Sequence, residues 1–223
     1  GEYIFDHGWA NAYERAGGKY YPKSLAAVPF TPVPGPRLLS LDDDIKAKQA
    51  LLFSMQSIIE NNNLSSAHLN FINSSDVTVA KKNGWMIREG LQFHWHNQGY
   101  NNFDEFLDKL TSRKRKNIRK ERESISKANL KFVHLTGDEI KTKHWDIFYE
   151  CYLATIEKKW GGAYLNRLFF HHLPVNLKNK ILLILCYENN VPIAGALNFI
   201  GSDALYGRNW GGLRNIPFLH FET

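Results

Sequence analysis

The stretch Arg113–Arg122, RKRKNIRKER, carries seven basic residues and one acid, Glu121. That excess equals the formal net charge of the whole chain, +6, so the other residues are neutral in sum. Positive charge is thus a local device that attracts an anion: a phosphate-rich cosubstrate, a nucleic acid or a lipid headgroup. Read as a helix over roughly 112–128 with Ser112 as N-cap, the stretch puts Arg115, Arg119 and Arg122 on one face, with Lys114 just before them. Basic residues in a first turn oppose the helix dipole and repel one another, which favours an anion site over an ordinary solvated helix. His94 and His96 are the second candidates. In a strand they share a face and read as a base with its partner, as two metal ligands, or as a hydrogen-bonded strand pair. No third metal ligand stands at a diagnostic spacing, so no metal site is expected. Tyr206, Arg208 and Trp210 alternate and are expected on one strand face, where Arg208 holds a carboxylate or phosphate or else stacks on the aromatics. Gly207, Gly211 and Gly212 beside them allow a close approach to a ligand, or mark a bulge and a turn. His220 and Glu222 end the chain, and Glu222 reads as a base near a cleft mouth or as a helix-start acid. Asp6 and His7, near Trp9, repeat that theme early in the chain.

These residues need elements to hold them. Residues 9–16 read as a short helix stopped by Gly17-Gly18. The segment 25–39, with Pro29, Pro32, Pro34 and Pro36, is extended and no central strand. The clearest amphipathic helix of the first part is 42–62, with Leu51, Leu52, Met55, Ile58 and Ile59 as its stripe. A strand over 67–72, a helix over 76–83, a second strand over 86–96 and a helix over 101–110 follow. Beyond the basic helix come a strand over 130–135, a long helix over 138–158 and a short one over 166–173. The long helix carries Trp145, Phe148, Tyr149, Tyr152 and Ile156 on one side. A three-stranded antiparallel meander over 180–187, 191–200 and 204–210 closes the pattern. Its turns are Glu188-Asn189-Asn190 and Gly201-Ser202-Asp203.

The 223 residues are 43% hydrophobic and 22% charged, the composition of a globular protein with a sizeable core. The longest apolar run, Ile181–Tyr187, is too short to span a bilayer. Cys151 and Cys186, the two cysteines, sit in apolar settings and read as buried thiols of a reducing compartment. The openings Tyr3-Ile4-Phe5 and Phe218–Thr223 are apolar for chain ends, so both ends are expected to be cuts within a longer protein.

Four stretches, GEYIFDHGWANAYERAGGKYYPK (1–23), AAVPFTPVPGPRLL (26–39), LQFHWHNQGYNNFDEFLDKLTSRKRKNIRKERE (91–123) and PIAGALNFIGSDALYGRNWGG (192–212), resemble the FemAB-like family of peptidoglycan biosynthesis/recognition. The segment KRKNIRK (114–120) is similar to the basic helix of Fem-type aminoacyltransferases, and the order that follows it resembles the opening of a GNAT-type acyltransferase domain. The resemblance implies an α/β (α+β) fold of two GNAT-like halves, 1–110 and 111–223, with mixed, mostly antiparallel sheets flanked by helices. It implies an N-acyltransferase that moves an acyl or aminoacyl group from acyl-CoA or aminoacyl-tRNA to an amine, with a peptidoglycan precursor as acceptor. No cofactor is bound tightly; the donor is a cosubstrate. In a GNAT domain the next helix carries the loop that binds the donor's pyrophosphate, which places part of the donor site beyond Thr223. The chain lacks a G-x-x-x-x-G-K-[ST] loop, a G-x-G-x-x-G and the Q/R-x-x-G-x-G/A loop of acyl-CoA enzymes. That favours a polyanionic donor on the basic helix.

Such a reaction needs a base for the amine, a donor for the oxyanion and a proton for the leaving group. His94, His96 and Glu222 are the catalytic candidates; Lys114, Arg115, Arg119, Arg122, Tyr206, Arg208 and Trp210 are the donor- and substrate-binding candidates. No Ser/Cys–His arrangement stands out, so covalent catalysis is not implied. The expected setting is cytoplasmic, with peripheral contact to a membrane-linked precursor and no transmembrane segment. Two other classes fit the same residues. A non-catalytic GNAT-like module would recognise a cell-wall or nucleotide ligand without turnover. A nucleic-acid-binding protein would use the basic helix alone and show a steep salt dependence with any polyanion.

Overall fold

In a computed structural model the described residues are 6–158 and 162–223, so Tyr3, Ile4 and Phe5 lie outside them. They form two compact units, one ending at Trp95 and the other His96–Thr223. The helix expected over 101–110 therefore belongs to the second unit.

In the first unit, α1 (His7–Arg15) opens at Asp6 and stops before Gly17, whose φ of 85° ends it. Then come β1 (Ser24–Ala26), the proline-rich segment, and α2 (Ile45–Asn61), whose first turn is capped by Asp44 accepting from Lys46 N. β2 (Ala67–Leu69) pairs in parallel with β1, and α3 (Ser74–Lys82) is capped by Asn73. Leu38, Leu52, Val79 and Ala80 form the core, with Leu69, Trp85 and Ile87 against it. Within this apolar setting Lys48, 1% exposed, reaches Asp76, 0% exposed, at 2.8 Å. Asp76 also accepts from the backbone N–H groups of Arg37 at 2.6 Å and Leu38 at 3.1 Å, which pins the proline-rich segment to α3. Burial pushes the Asp76 carboxyl up, but these hydrogen bonds outweigh it and hold the group below its ordinary range.

The strand expected over 86–96 does not form. Its alternation is present in the sequence, yet among the described residues no strand pairs with it, and Met86 (98% exposed), Leu91, Phe93 and Trp95 are exposed. A strand is a property of its ladder, and alternation alone does not supply a neighbour.

The second unit begins with α4 (Phe103–Asp108) and the basic helix α5 (Ser112–Ser126). β3 (Leu130–Thr136), α6 (Thr142–Glu157) and α7 (Arg167–Leu177) follow, then β4 (Ile181–Glu188), β5 (Val191–Ile200), β6 (Leu205–Gly212) and α8 (Leu219–Glu222). The four strands make one antiparallel sheet in chain order, β3-β4-β5-β6. The expected meander is thus present, with β3 added at its edge. Asn189 and Asn190 both have positive φ, 50° and 64°, the conformation a tight two-residue hairpin needs.

Side chains alternate between two faces. Ile181, Leu183, Leu185 and Leu197 meet Trp145, Phe148 and Tyr152 of α6 and Phe170 of α7. Cys186, Ala194 and Trp210 on the opposite face meet Ile125 of α5 and Leu219 of α8. The fold is therefore mixed α/β, with its second-unit sheet covered on both faces. α6 lies so close to β6 that a Cβ on Gly211 would stand 1.9 Å from the carbonyl oxygen of Cys151. Gly211 thus serves helix packing. Both cysteines are free and buried, and burial pushes their thiols up, Cys151 to about 12 and Cys186 to about 11. No helix among the described residues is long and apolar enough to cross a membrane.

Candidate functional site

The basic helix α5 has Thr111, not Ser112, at its N-cap, with no side-chain cap hydrogen bond and no acid in its first turn. Nothing in its own sequence offsets the clash with the dipole. Neighbouring elements supply the counter-charge. Arg115 Nη1 lies 2.7 Å from Asp108 Oδ1, and Arg119 Nη2 lies 3.2 Å from Asp104 Oδ1, both on α4. Arg122 Nε lies 3.1 Å from Glu222 Oε1 on α8, and its guanidinium stacks 4.0 Å from the Phe103 ring centre. Exposed pairs of this kind each contribute only about 0.2–1 kcal/mol, so they orient side chains more than they hold the fold.

The pairing sorts the cations. The three arginines on the expected anion face each meet a carboxylate. Among the described residues, Lys116 and Lys120 meet none. Those two lysines line an open hollow of about 530 Å³ together with Ser112, Arg115, Arg119 and Glu123. Four cations against one carboxylate on its wall make it a site for an anion with several charges.

A second hollow, about 350 Å³, is lined by Phe103, Ile118, Glu121, Arg122, Phe218, Phe221 and Glu222. Ile118, which the periodicity placed with Ile125 on the apolar stripe, faces this hollow, while Ile125 is buried in the core. Phe218 adopts a left-handed backbone (φ 69°) at the start of α8, an unusual conformation for a bulky residue. Aromatic walls with two carboxylates suit an ammonium group beside an apolar chain.

The other candidates are dispersed. His94 lies in the first unit, outside any strand, with Nε2 3.4 Å from Gln92 Oε1. His96, also outside any strand, lines neither hollow. The argument that the two share a strand face therefore fails. Tyr206 and Trp210 do not share a face either. The register runs Phe199↔Tyr206, Asn198↔Gly207, Leu197↔Asn209 and Ala196↔Trp210, so β6 carries one extra residue, Arg208. That bulge shifts the alternation: Tyr206 stands with Phe199 on the α6 face, and Trp210 packs on the α8 face. Arg208 Nη2 donates to the Tyr164 hydroxyl at 3.2 Å. His220 meets Trp210 edge to face, ring centres 5.9 Å apart. Among the described residues no cluster of three or more His, Cys, Asp and Glu could hold a metal.

The sequence reading missed Lys116 and Lys120 as the available cations, Asp104 and Asp108 as the counter-charges, and Phe103, Phe218 and Phe221 as a wall. One signal was present: Asp104 and Asp108 are spaced i, i+4 on the short helix directly before the basic one, so both project from one face.

The family described as peptidoglycan biosynthesis/recognition matches over residues 1–223. No curated protein matches the chain. The family match covers the whole sequence, and the chain belongs to the FemAB-like family, with a role in peptidoglycan biosynthesis or recognition.

Proposed function

We propose that the chain is an N-acyltransferase that moves an acyl or aminoacyl group from a phosphate-bearing donor, aminoacyl-tRNA or acyl-CoA, to an amine of a peptidoglycan precursor. The observation that carries this reading is the hollow on α5, where Lys116 and Lys120 face out beside arginines already oriented by α4. Donor phosphates complete that charge distribution, and an RNA backbone uses more of it than a single pyrophosphate does. Lys114, in the first turn of the same helix, adds to the attraction.

The aromatic hollow takes the acceptor. Its ammonium group docks against Glu121 and Glu222 and releases one proton to solvent; the neutral nitrogen then attacks the donor's acyl carbon as a second proton passes to Glu222. The bond from that carbon to the donor oxygen or sulfur then breaks, and the proton goes to the leaving hydroxyl or thiol. Arg122, held to Glu222, keeps the carboxylate oriented. The extra residue at Arg208 leaves irregular backbone on β6, where an N–H can face a developing oxyanion.

The arrangement of His94, His96 and Glu222 favours a second reading. The two histidines lie outside any strand and Glu222 is tied to Arg122, which suits a recognition module that binds a cell-wall ligand without turnover. Incubating the protein with each donor and a lipid-linked or soluble precursor, followed by mass spectrometry, separates the two. A precursor heavier by one acyl or aminoacyl group supports transfer. Unchanged precursor that nonetheless binds supports recognition.

A further inference from the structure

The first unit contains a serine, a histidine and an aspartate brought together from distant parts of the sequence. Ser66 Oγ lies 3.0 Å from His68 Nε2, and His68 Nδ1 lies 3.6 Å from Asp6 Oδ2. The order is that of a nucleophile, its base and the carboxylate that orients the base. Asp6 is 3% exposed and fixed from three sides: Lys23 Nζ at 2.9 Å and the Tyr20 hydroxyl at 3.0 Å donate to Oδ2, and Arg88 Nη1 at 2.9 Å donates to Oδ1. Burial pushes the Asp6 carboxyl up, but the hydrogen bonds from Lys23, Arg88 and Tyr20 bring it down to about 2. Asp6 is therefore an acceptor only. The nucleophilic role uses the tautomer with the proton on Nδ1, the nitrogen facing Asp6, so that Nε2 accepts from the Ser66 hydroxyl. The Nδ1–Oδ2 separation exceeds a hydrogen bond by about half an ångström, a looseness common in catalytic groups before substrate binds.

Access and chemistry agree with this polarity. The His68 side chain is 26% exposed and Ser66 is half-buried, so a ligand can reach the hydroxyl while the carboxylate stays dry. The neighbouring Ser65 donates its hydroxyl to the Tyr20 carbonyl, and its oxygen lies 3.3 Å from Ser66 Oγ.

We propose that Ser66, His68 and Asp6 form a nucleophilic centre that accepts acyl groups from carboxylic esters or thioesters. Ser66 Oγ attacks the acyl carbon as its proton passes to His68 Nε2. The bond to the leaving alcohol or thiol breaks, and His68 returns the proton to that group, leaving an acyl ester on Ser66. An amine or water then attacks this ester, its proton passes to Nε2, and the ester bond breaks to regenerate the Ser66 hydroxyl. Asp6 acts through His68 as a positioning residue. The centre belongs to the first unit and the donor hollow to the second, and the proposal does not depend on the transferase reading.

The test is covalent labelling of the full-length protein with an alkyl fluorophosphonate, followed by intact-mass and peptide mapping. The expected result is one adduct, on Ser66, absent in Ser66→Ala and retained in Ser65→Ala. His68→Gln should slow labelling at least ~100-fold and abolish its rise with pH, which a purely structural histidine would not do. The three substituted residues are partly exposed, and unchanged melting temperatures confirm that the variants fold. No adduct on Ser66 under conditions that label a serine hydrolase to completion, or labelling equally fast in His68→Gln, overturns the proposal.

Discussion

Replacing Gly211 by alanine tests the packing that shapes the second unit. The added Cβ would lie 1.9 Å from the Cys151 carbonyl oxygen, 2.3 Å from its carbon and 2.9 Å from Tyr152 N. Ordinary contact begins near 3.4 Å, so α6 and β6 must separate by about 1.5 Å. The obstacle is helix backbone, which no rotamer change can move. α6 buries Trp145, Phe148, Cys151 and Tyr152 against the sheet, and all of them lose contact together. Overpacking costs about 1–3 kcal/mol, and a backbone clash belongs at the top of that range, about 3 kcal/mol. For a chain of 223 residues each kcal/mol moves the melting temperature by about 2–4 °C, so the expected drop is about 6–12 °C. Gly207→Ala is the control, because its Cβ would meet only the Asn198 side chain at 3.6 Å. It should cost less than about 0.5 kcal/mol. Neither glycine has a positive φ, so strain does not cloud the comparison. Differential scanning calorimetry of both variants decides it. A Gly211→Ala melting temperature within about 2 °C of wild type would refute the packing argument.

Asp76→Asn should destabilise the protein by about 3 kcal/mol in urea unfolding, because it takes the buried carboxylate from Lys48, leaving that ammonium only the exposed carboxylate of Asp43, and weakens the acceptor of the Arg37 and Leu38 N–H groups. Asp43→Asn, which removes the exposed partner of the same lysine, should cost under about 1 kcal/mol. The Asp6 carboxyl titrates near 2 in the folded protein against an ordinary 3.8, so its contribution is complete above about pH 4. It is lost as pH falls from there toward 2. Acid unfolding should therefore lose about 2 kcal/mol over that window, and Asp6→Asn should remove this component. Cys151 and Cys186 should resist a disulfide-exchange reagent at pH 8 in the native protein, and both should react at once in denaturant.

The parts legible in the sequence are those whose signals are local. α6 follows from Trp145, Phe148, Tyr152 and Ile156 recurring on one face, and the β4–β5 hairpin from Asn189-Asn190. The parts that stayed hidden depend on pairing. Leu91, Phe93 and Trp95 alternate as a strand should, yet no ladder among the described residues receives them. The bulge that parts Tyr206 from Trp210 exists only in the register between β5 and β6, which single-strand alternation cannot contain. On the basic helix, charge density was plain, but which cations stay available depends on Asp104, Asp108 and Glu222 arriving from other elements. Ser66 and His68 looked like an ordinary strand start because Asp6 lies sixty residues upstream.

The most direct test of the central claim is a titration of the full-length protein with aminoacyl-tRNA and, separately, acyl-CoA, at several salt concentrations, for wild type and for Lys116→Gln/Lys120→Gln. The account predicts saturable binding of one donor, at least ~10-fold weaker in the double variant. For tRNA, the slope of log affinity against log salt should also fall by about 1–2, as two phosphate contacts are lost. Binding of neither donor, or affinity and salt slope unchanged by the two substitutions, would contradict the assignment of α5 to the donor's phosphates.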